Sequence, residues 1–309
     1  MKVNRVAGMM IIDVTMANPN GDPDWDNKPR QTNAGYGLIS PVSIKRKIRD
    51  IFEDHDSPCF AEFCELLKIN PERYWIFESK NRGYDNLSQN DAMKKAVDLA
   101  KENPEEFFSR YYDARLLGVM ALGAGDSKIK PKSKTADKKK TEDDQVKENK
   151  PRTTTTGCLT ISPAVSISRI DIIEKTMTKK APLENDKEQG MAPNAFKAVE
   201  HGLYVATFTI NPSMMPKSFA TKEDVDVFKR VLPYIFQLSS ANARPSSSVS
   251  MAHLWWREHE NSIGSFNEFE WFRSLMPVRK DDLTSPSKDI SDYVIPDGKK
   301  LGAVDLVCK

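Results

Sequence analysis

The hydrophobic pattern of this chain changes period several times, and each change marks an element. From Val6 to Met16 nearly every residue is apolar or β-prone, which predicts a buried strand. An Asn/Gly/Asp/Pro loop follows, and Ser40 then stands where it can cap a helix with Pro41 in the first turn. On that helix Ile44, Ile48 and Ile51 or Phe52 recur at helical spacing and dock inward, while Lys45 and Arg49 share a neighbouring face flanked by Arg46 and Lys47. Residues 57–113 carry helical signals, including CFAEFCELL, the Ser88 to Ala100 stretch and EEFFSRYYDARLL, and read as a helical insertion. Residues 123–152 have no apolar periodicity and are rich in lysine, which predicts a mobile surface loop.

From Leu159 the period becomes two: Leu159, Ile161, Pro163, Val165 and Ile167 face one way, and Thr160, Ser162, Ala164, Ser166 and Ser168 the other. Pro163 places this strand at an edge or a bulge. Residues 171–201 lose the pattern, with Pro182 and Pro193 as breakers, before a second strand from Leu203 to Ile210. The two strands bracket a protruding excursion. Thr221 and Asp224 make a capping box for a helix with Val225, Phe228, Leu232 and Ile235 inward and a kink at Pro233. Met251 to Trp256 and Ala303 to Val307 read as the last strands. Strand, helix, strand, strand, helix, strand is the order of an α+β domain of ferredoxin-like or RRM-like type, a single domain enlarged by insertions.

Composition narrows the function classes. The 309 residues are 39% hydrophobic and 9% aromatic, enough for a sizeable core, and the net charge is only +2. That sum hides segregation, because basic residues gather at Lys45 to Arg49 and at Lys128 to Arg152, so polyanion binding has to be local. Cys59, Cys64, Cys158 and Cys308 show no zinc-type spacing and read as reduced thiols. No apolar run approaches the roughly 20 residues that span a bilayer. A cytoplasmic protein without membrane contact is expected.

Candidate chemistry centres on the first loop and helix. Asn18, Asn20 and Gly21 are turn formers whose backbone N–H groups can also cradle a phosphate, with Arg30, Lys45, Arg46 and Arg49 supplying charge. Asp22, Asp24 and Asp26 alternate like the first ligands of an EF-hand, but Asn27 stands where glycine is needed and Asn33 where a bidentate glutamate is needed, so neither a metal nor a cofactor is expected. His201, His253 and His259 lack a nucleophile motif and read as packing residues. Trp255, Trp256, Trp271 and Phe272 suit a core or a subunit interface better than base stacking.

The strand with Asn18-Pro19-Asn20-Gly21-Asp22-Pro23, Pro29-Arg30 and the run Ser40 to Arg49 resembles the opening of the Cascade backbone subunits of type I CRISPR systems, the seventh Cas family. Asp113-Ala114-Arg115-Leu116-Leu117-Gly118 is similar to the family's D-x-R-x-x-G segment, Gly202-Leu203-Tyr204 to its G-L-Y strand start, and His259-Glu260 through Gly264 to its H-E-x-x-x-G segment, in the same order and nearest the type I-C branch. The resemblance implies an RRM-like palm, helical fingers and a thumb-like hairpin, here residues 171–201. It also implies a non-catalytic subunit that packs head to tail with copies of itself along one CRISPR RNA, pairs the guide with a target DNA strand and meets other Cascade subunits. In this setting Lys45, Arg46 and Arg49 become phosphate ligands, and Lys197 is the only lysine or arginine between Met191 and His201, the stretch just before G-L-Y. Two other readings stay open: a metal-dependent RNase using a loop aspartate, as in related type III subunits, and a self-assembling structural protein without nucleic acid.

Overall fold

Strand β1 (Val6–Ala17) organises the interior. In a computed structural model that describes residues 3–80, 89–121, 153–180, 191–239, 241, 243–280 and 285–307, Met10, Ile12 and Val14 enter one hydrophobic cluster, and Ala7, Met9 and Ile11 enter another. Alternation along a strand puts those two sets on opposite faces, so β1 is covered on both. The next residues make a short ribbon, β2 (Gly21–Asp22) against β3 (Lys28–Pro29), before β4 (Tyr36–Ile39). The Ser40 hydroxyl accepts the Ser43 N–H at 3.2 Å and starts α1 (Pro41–Asp50), whose Ile44 and Ile48 are buried together with Phe52 beyond it.

The lateral insertion consists of α2 (Pro58–Leu67), α3 (Gln89–Glu102), α4 (Pro104–Arg110) and α5 (Tyr112–Leu117). Phe77, Val97, Phe107, Phe108 and Val119 give it a small core of its own. Two strands, β5 (Gly118–Ala121) and β6 (Thr153–Thr156), pair at its exit, and the lysine-rich segment between them lies outside the described residues.

Pro163, expected at an edge or a bulge, instead lies in a break between two strands, β7 (Leu159–Ile161) and β8 (Ala164–Arg169). The phase after the break is the reverse of the one expected: Ala164, Ser166 and Ser168 are buried, and Val165 is 39% exposed. An irregularity of this kind shifts the two-residue repeat by one and turns every later side chain over. The excursion that follows is a ribbon, β9 (Ile172–Lys180) paired with β10 (Met191–Ile210) from Val199↔Ile172 to Met191↔Lys180. Residues 181–190, between the two strands, lie outside the described residues. The second strand therefore begins at Met191, not Leu203, because a two-stranded ribbon has free edges on which Pro193 removes no needed donor.

After α6 (Met215–Ser218), the Thr221–Asp224 capping box forms with both hydrogen bonds and starts α7 (Lys222–Val231). The α-helix ends at Val231, just before Pro233, and resumes as α8 (Ile235–Leu238). The chain closes with β11 (Val249–Glu258), α9 (Glu268–Leu275), the pair β12 (Val278–Arg279) and β13 (Tyr293–Val294), and β14 (Val304–Asp305). The main sheet runs β14-β11-β1-β10-β8-β4 with β7 and β9 also on β10, and every pairing is antiparallel. Ile44 and Ile48 of α1 and Val225 and Phe228 of α7 share the cluster on one sheet face. Trp255, Trp271, Leu275 and Tyr293 fill the other, which settles three of the tryptophans, with Trp256, as core residues.

Candidate nucleic-acid interface

The first loop is strapped to the helix that follows it. Asn20 Oδ1 accepts the Ser40 N–H at 2.8 Å, and the Asn20 carbonyl accepts the Arg30 N–H at 3.0 Å. Asn18 donates its backbone N–H to the Ala243 carbonyl at 2.9 Å and its side-chain amide to the Asn27 carbonyl at 2.8 Å. The loop is thereby held between the start of α1 and the segment that leads into β11. An open groove of roughly 660 Å³ lies there, lined by five cations, Arg30, Arg46, Lys47, Arg49 and Arg244, against two carboxylates, Asp50 and Glu78. Asn20, Gly21, Ser40 and Ser43 complete its polar wall.

The structure thus brings Asn20, Gly21, Arg30, Arg46 and Arg49 to one groove, while Asn18, Lys45 and Lys197 are not among its lining residues. Arg49 does not stand on an outward face beside Lys45. Its side chain is 6% exposed and pairs with Asp113 and Glu78, both at 2.9 Å. Arg46 bonds Asp50 at 2.8 Å, the Glu78 carbonyl at 2.6 Å and Glu53. Lys45 is half-buried, and burial first and the Arg49 charge second lower its ammonium pKa, with Glu78 opposing. Arg30 pairs with Asp22 at 3.3 Å, and Asp22 also accepts the Asp24 N–H. Lys197 lies at the base of the ribbon, where it pairs with Asp26 and, at 3.6 Å, with Glu174.

Lys47 and Arg244 are the groove cations that spacing did not single out. Lys47 was read only as a flank of the helix face, yet it is 3% exposed. Arg244 sits in SSANARPSSS, a stretch of small polar residues around one arginine between a helix and a strand, which was the available signal.

The remaining motif residues brace the fold. Asp113 accepts Arg49 Nε and the N–H groups of Phe77 (2.7 Å) and Glu78 (3.1 Å), fastening α1 to the insertion. Arg115 pairs with Asp224 at 2.7 Å, and His259 accepts the Ser265 N–H at 2.8 Å while its other nitrogen meets Glu268 at 3.0 Å. His201 is buried between Asp13 (3.0 Å) and Ser287 (2.7 Å), and His253 meets Asp305 at 2.6 Å, so all three histidines are packed and hydrogen-bonded.

The groove is walled by the Asn/Gly loop, the basic helix α1 and Arg244, and the comparisons give the family. The family model of CRISPR-associated protein Cas7 matches residues 4–296, and the chain belongs to this family. A CRISPR-associated protein Cas7 from Haloferax volcanii is 40% identical over 53 residues, a match spanning 17% of this chain and 16% of that relative. Among solved structures, one chain of a CRISPR RNA-guided surveillance complex in a pre-nicking state is similar with a TM-score of 0.45 and 12% identity, covering 87% of this chain and 81% of that one. Another, from a CRISPR RNA-guided surveillance complex, gives 0.42 and 12%, covering 90% and 77%. Among the described residues no helix is long and apolar enough to cross a membrane.

Proposed function

We propose that this protein is a non-catalytic backbone subunit of a type I Cascade complex, nearest the I-C branch, that binds CRISPR RNA. Copies pack head to tail along the guide in the cytoplasm, each holding a stretch of RNA backbone, and other Cascade subunits cap the filament. Base pairing with a target DNA strand supplies sequence specificity. The β11-β1-β10-β8 sheet with α1 and α7 serves as an RRM-like palm, the insertion as fingers and the β9–β10 ribbon as the thumb. RNA lies in the groove, with Asn20, Gly21 and Arg30 on one wall and Arg46 on the other. Lys45 adds charge at the rim, and Arg49 and Lys197 act from inside their ion pairs. The observation that carries this reading is the family match across residues 4–296.

Purification from the native operon tests it. The expected product carries a discrete small RNA, visible as a raised absorbance ratio and one gel band; protein free of nucleic acid would favour the structural-protein reading. The same preparation separates scaffold from nuclease. Labelled complementary RNA with magnesium or manganese should stay intact, because Asp22 and Asp26 are engaged by Arg30 and Lys197 and do not converge on a common centre. Cuts at regular spacing, lost on changing Asp22, Asp24 or Asp26 to Ala, would assign an RNase.

A further inference from the structure

Most of the groove's cations already have carboxylate partners. Arg49 has Asp113 and Glu78, Arg46 has Asp50 and Glu53, and Arg30 has Asp22. Lys47 and Arg244 differ: among the described residues neither has a carboxylate within ion-pair distance. Lys47 Nζ donates to Ser43 Oγ at 2.8 Å and lies 5.6 Å from the centre of the Phe236 ring. Arg244 donates to the Ser239 carbonyl at 2.6 Å, and its Nε–H, like that of Arg30, is buried with no hydrogen-bond partner among the described residues. The two come from different elements, α1 and the 241–248 segment, and both line the groove. Like charges held together with unmatched donors are relieved by an anion between them, and a phosphate oxygen is the acceptor that fits both an ammonium and a guanidinium.

We propose that Lys47 and Arg244 clamp one phosphodiester of the bound RNA strand, with Arg30 beside them, and that seating the phosphate places a proton on Lys47. This rests on the reading that the groove holds RNA. Burial first, and the Arg244 charge second, lower the Lys47 ammonium to about 7, with Asp50 opposing. In the free protein Lys47 is therefore partly neutral near pH 7. A phosphate beside it favours the charged form, so above that pH binding takes up a proton and affinity falls as pH rises. The charged residues that line the groove with it are Asp50, Arg46 and Arg49 from its own helix, Arg30 from the first loop, Arg244 from the 241–248 segment and Glu78, of which Arg244 and Asp50 act on its charge; no histidine is among the groove's lining residues.

Anisotropy with a short fluorescein-labelled single-stranded RNA tests the clamp on the full chain. Wild-type affinity should fall roughly ten-fold from pH 7 to pH 8.5. Lys47→Arg should keep binding and lose that pH dependence, because its charge persists throughout. Lys47→Met and Arg244→Gln should each weaken binding and lower the salt slope by about one. A wild type that binds no RNA at any pH overturns the functional reading itself. A wild type that binds, with Lys47→Arg retaining the pH dependence or Arg244→Gln binding unchanged, overturns the clamp alone. If Lys47→Met fails to fold, the other two variants still decide.

Discussion

Arg115 is fully buried, and all five of its N–H donors are used: two on Asp224 at 2.7 and 3.0 Å, and three on the carbonyls of Arg73, Phe108 and Ser109. Such a guanidinium holds the insertion to α7, since Asp224 is also the reciprocal partner in the helix cap. Arg115→Met should cost roughly 3–5 kcal/mol, because it leaves the Asp224 carboxylate buried without its cation. A urea midpoint shifted down at unchanged slope would show it; an unchanged midpoint would mean the ion pair is dispensable. The same consideration sets what could be read from sequence at this scale. Arg49 and Lys197 were recognisable as cations at suggestive positions. Arg49 finds Asp113 64 residues away and Lys197 finds Asp26 171 residues away, and no local spacing reports these partners. Asn20 was legible as a turn former, but its hold on the Ser40 N–H was not, since that bond depends on how loop and helix meet.

At the level of elements, the signals that survived are those whose cause is local. The Ser40 and Thr221 caps and the inward stripes of α1 and α7 are each written within a few residues. The phase of β8 was not, because it is set by pairing with distant strands, and nor was the start of β10, which is set by the neighbouring strand β9. Gly118 shows a motif position whose role is conformational. Its φ is +84°, and a Cβ there would lie 2.5 Å from the Gly157 nitrogen and the Thr155 carbonyl oxygen, where β5 turns alongside β6. Gly118→Ala should cost on the order of 1–3 kcal/mol from backbone strain, with the clash adding to it. A clearly lowered melting temperature checks this. An unaltered one would show that the junction relaxes freely.

In the molecule as a whole, both faces of the sheet are closed: α1 and α7 cover one, and α9 with Tyr293 covers the other. Among the described residues both faces of the central strands are covered, so under the proposed function RNA is expected at the groove rather than stacked on the sheet. The predicted mixture of helices with a large antiparallel sheet is present, and the lysine-rich stretch that shared the sequence's basic charge lies outside the described residues. Replacing residues 176–195 by a tight turn should leave the melting temperature close to wild type, since Thr176 and Ala195, whose side chains are described at its two ends, belong to none of the buried clusters. Single-chain RNA binding should persist and filament assembly should be lost, read by light scattering with and without RNA; assembly that survives would move the copy-to-copy contact elsewhere. The 20 residues of β10 run without interruption from the ribbon into the register with β1, a span of roughly 65 Å at ordinary strand rise. It is a spar with no hinge. A load applied at its outer end would be carried as twist along the backbone into the middle of the sheet.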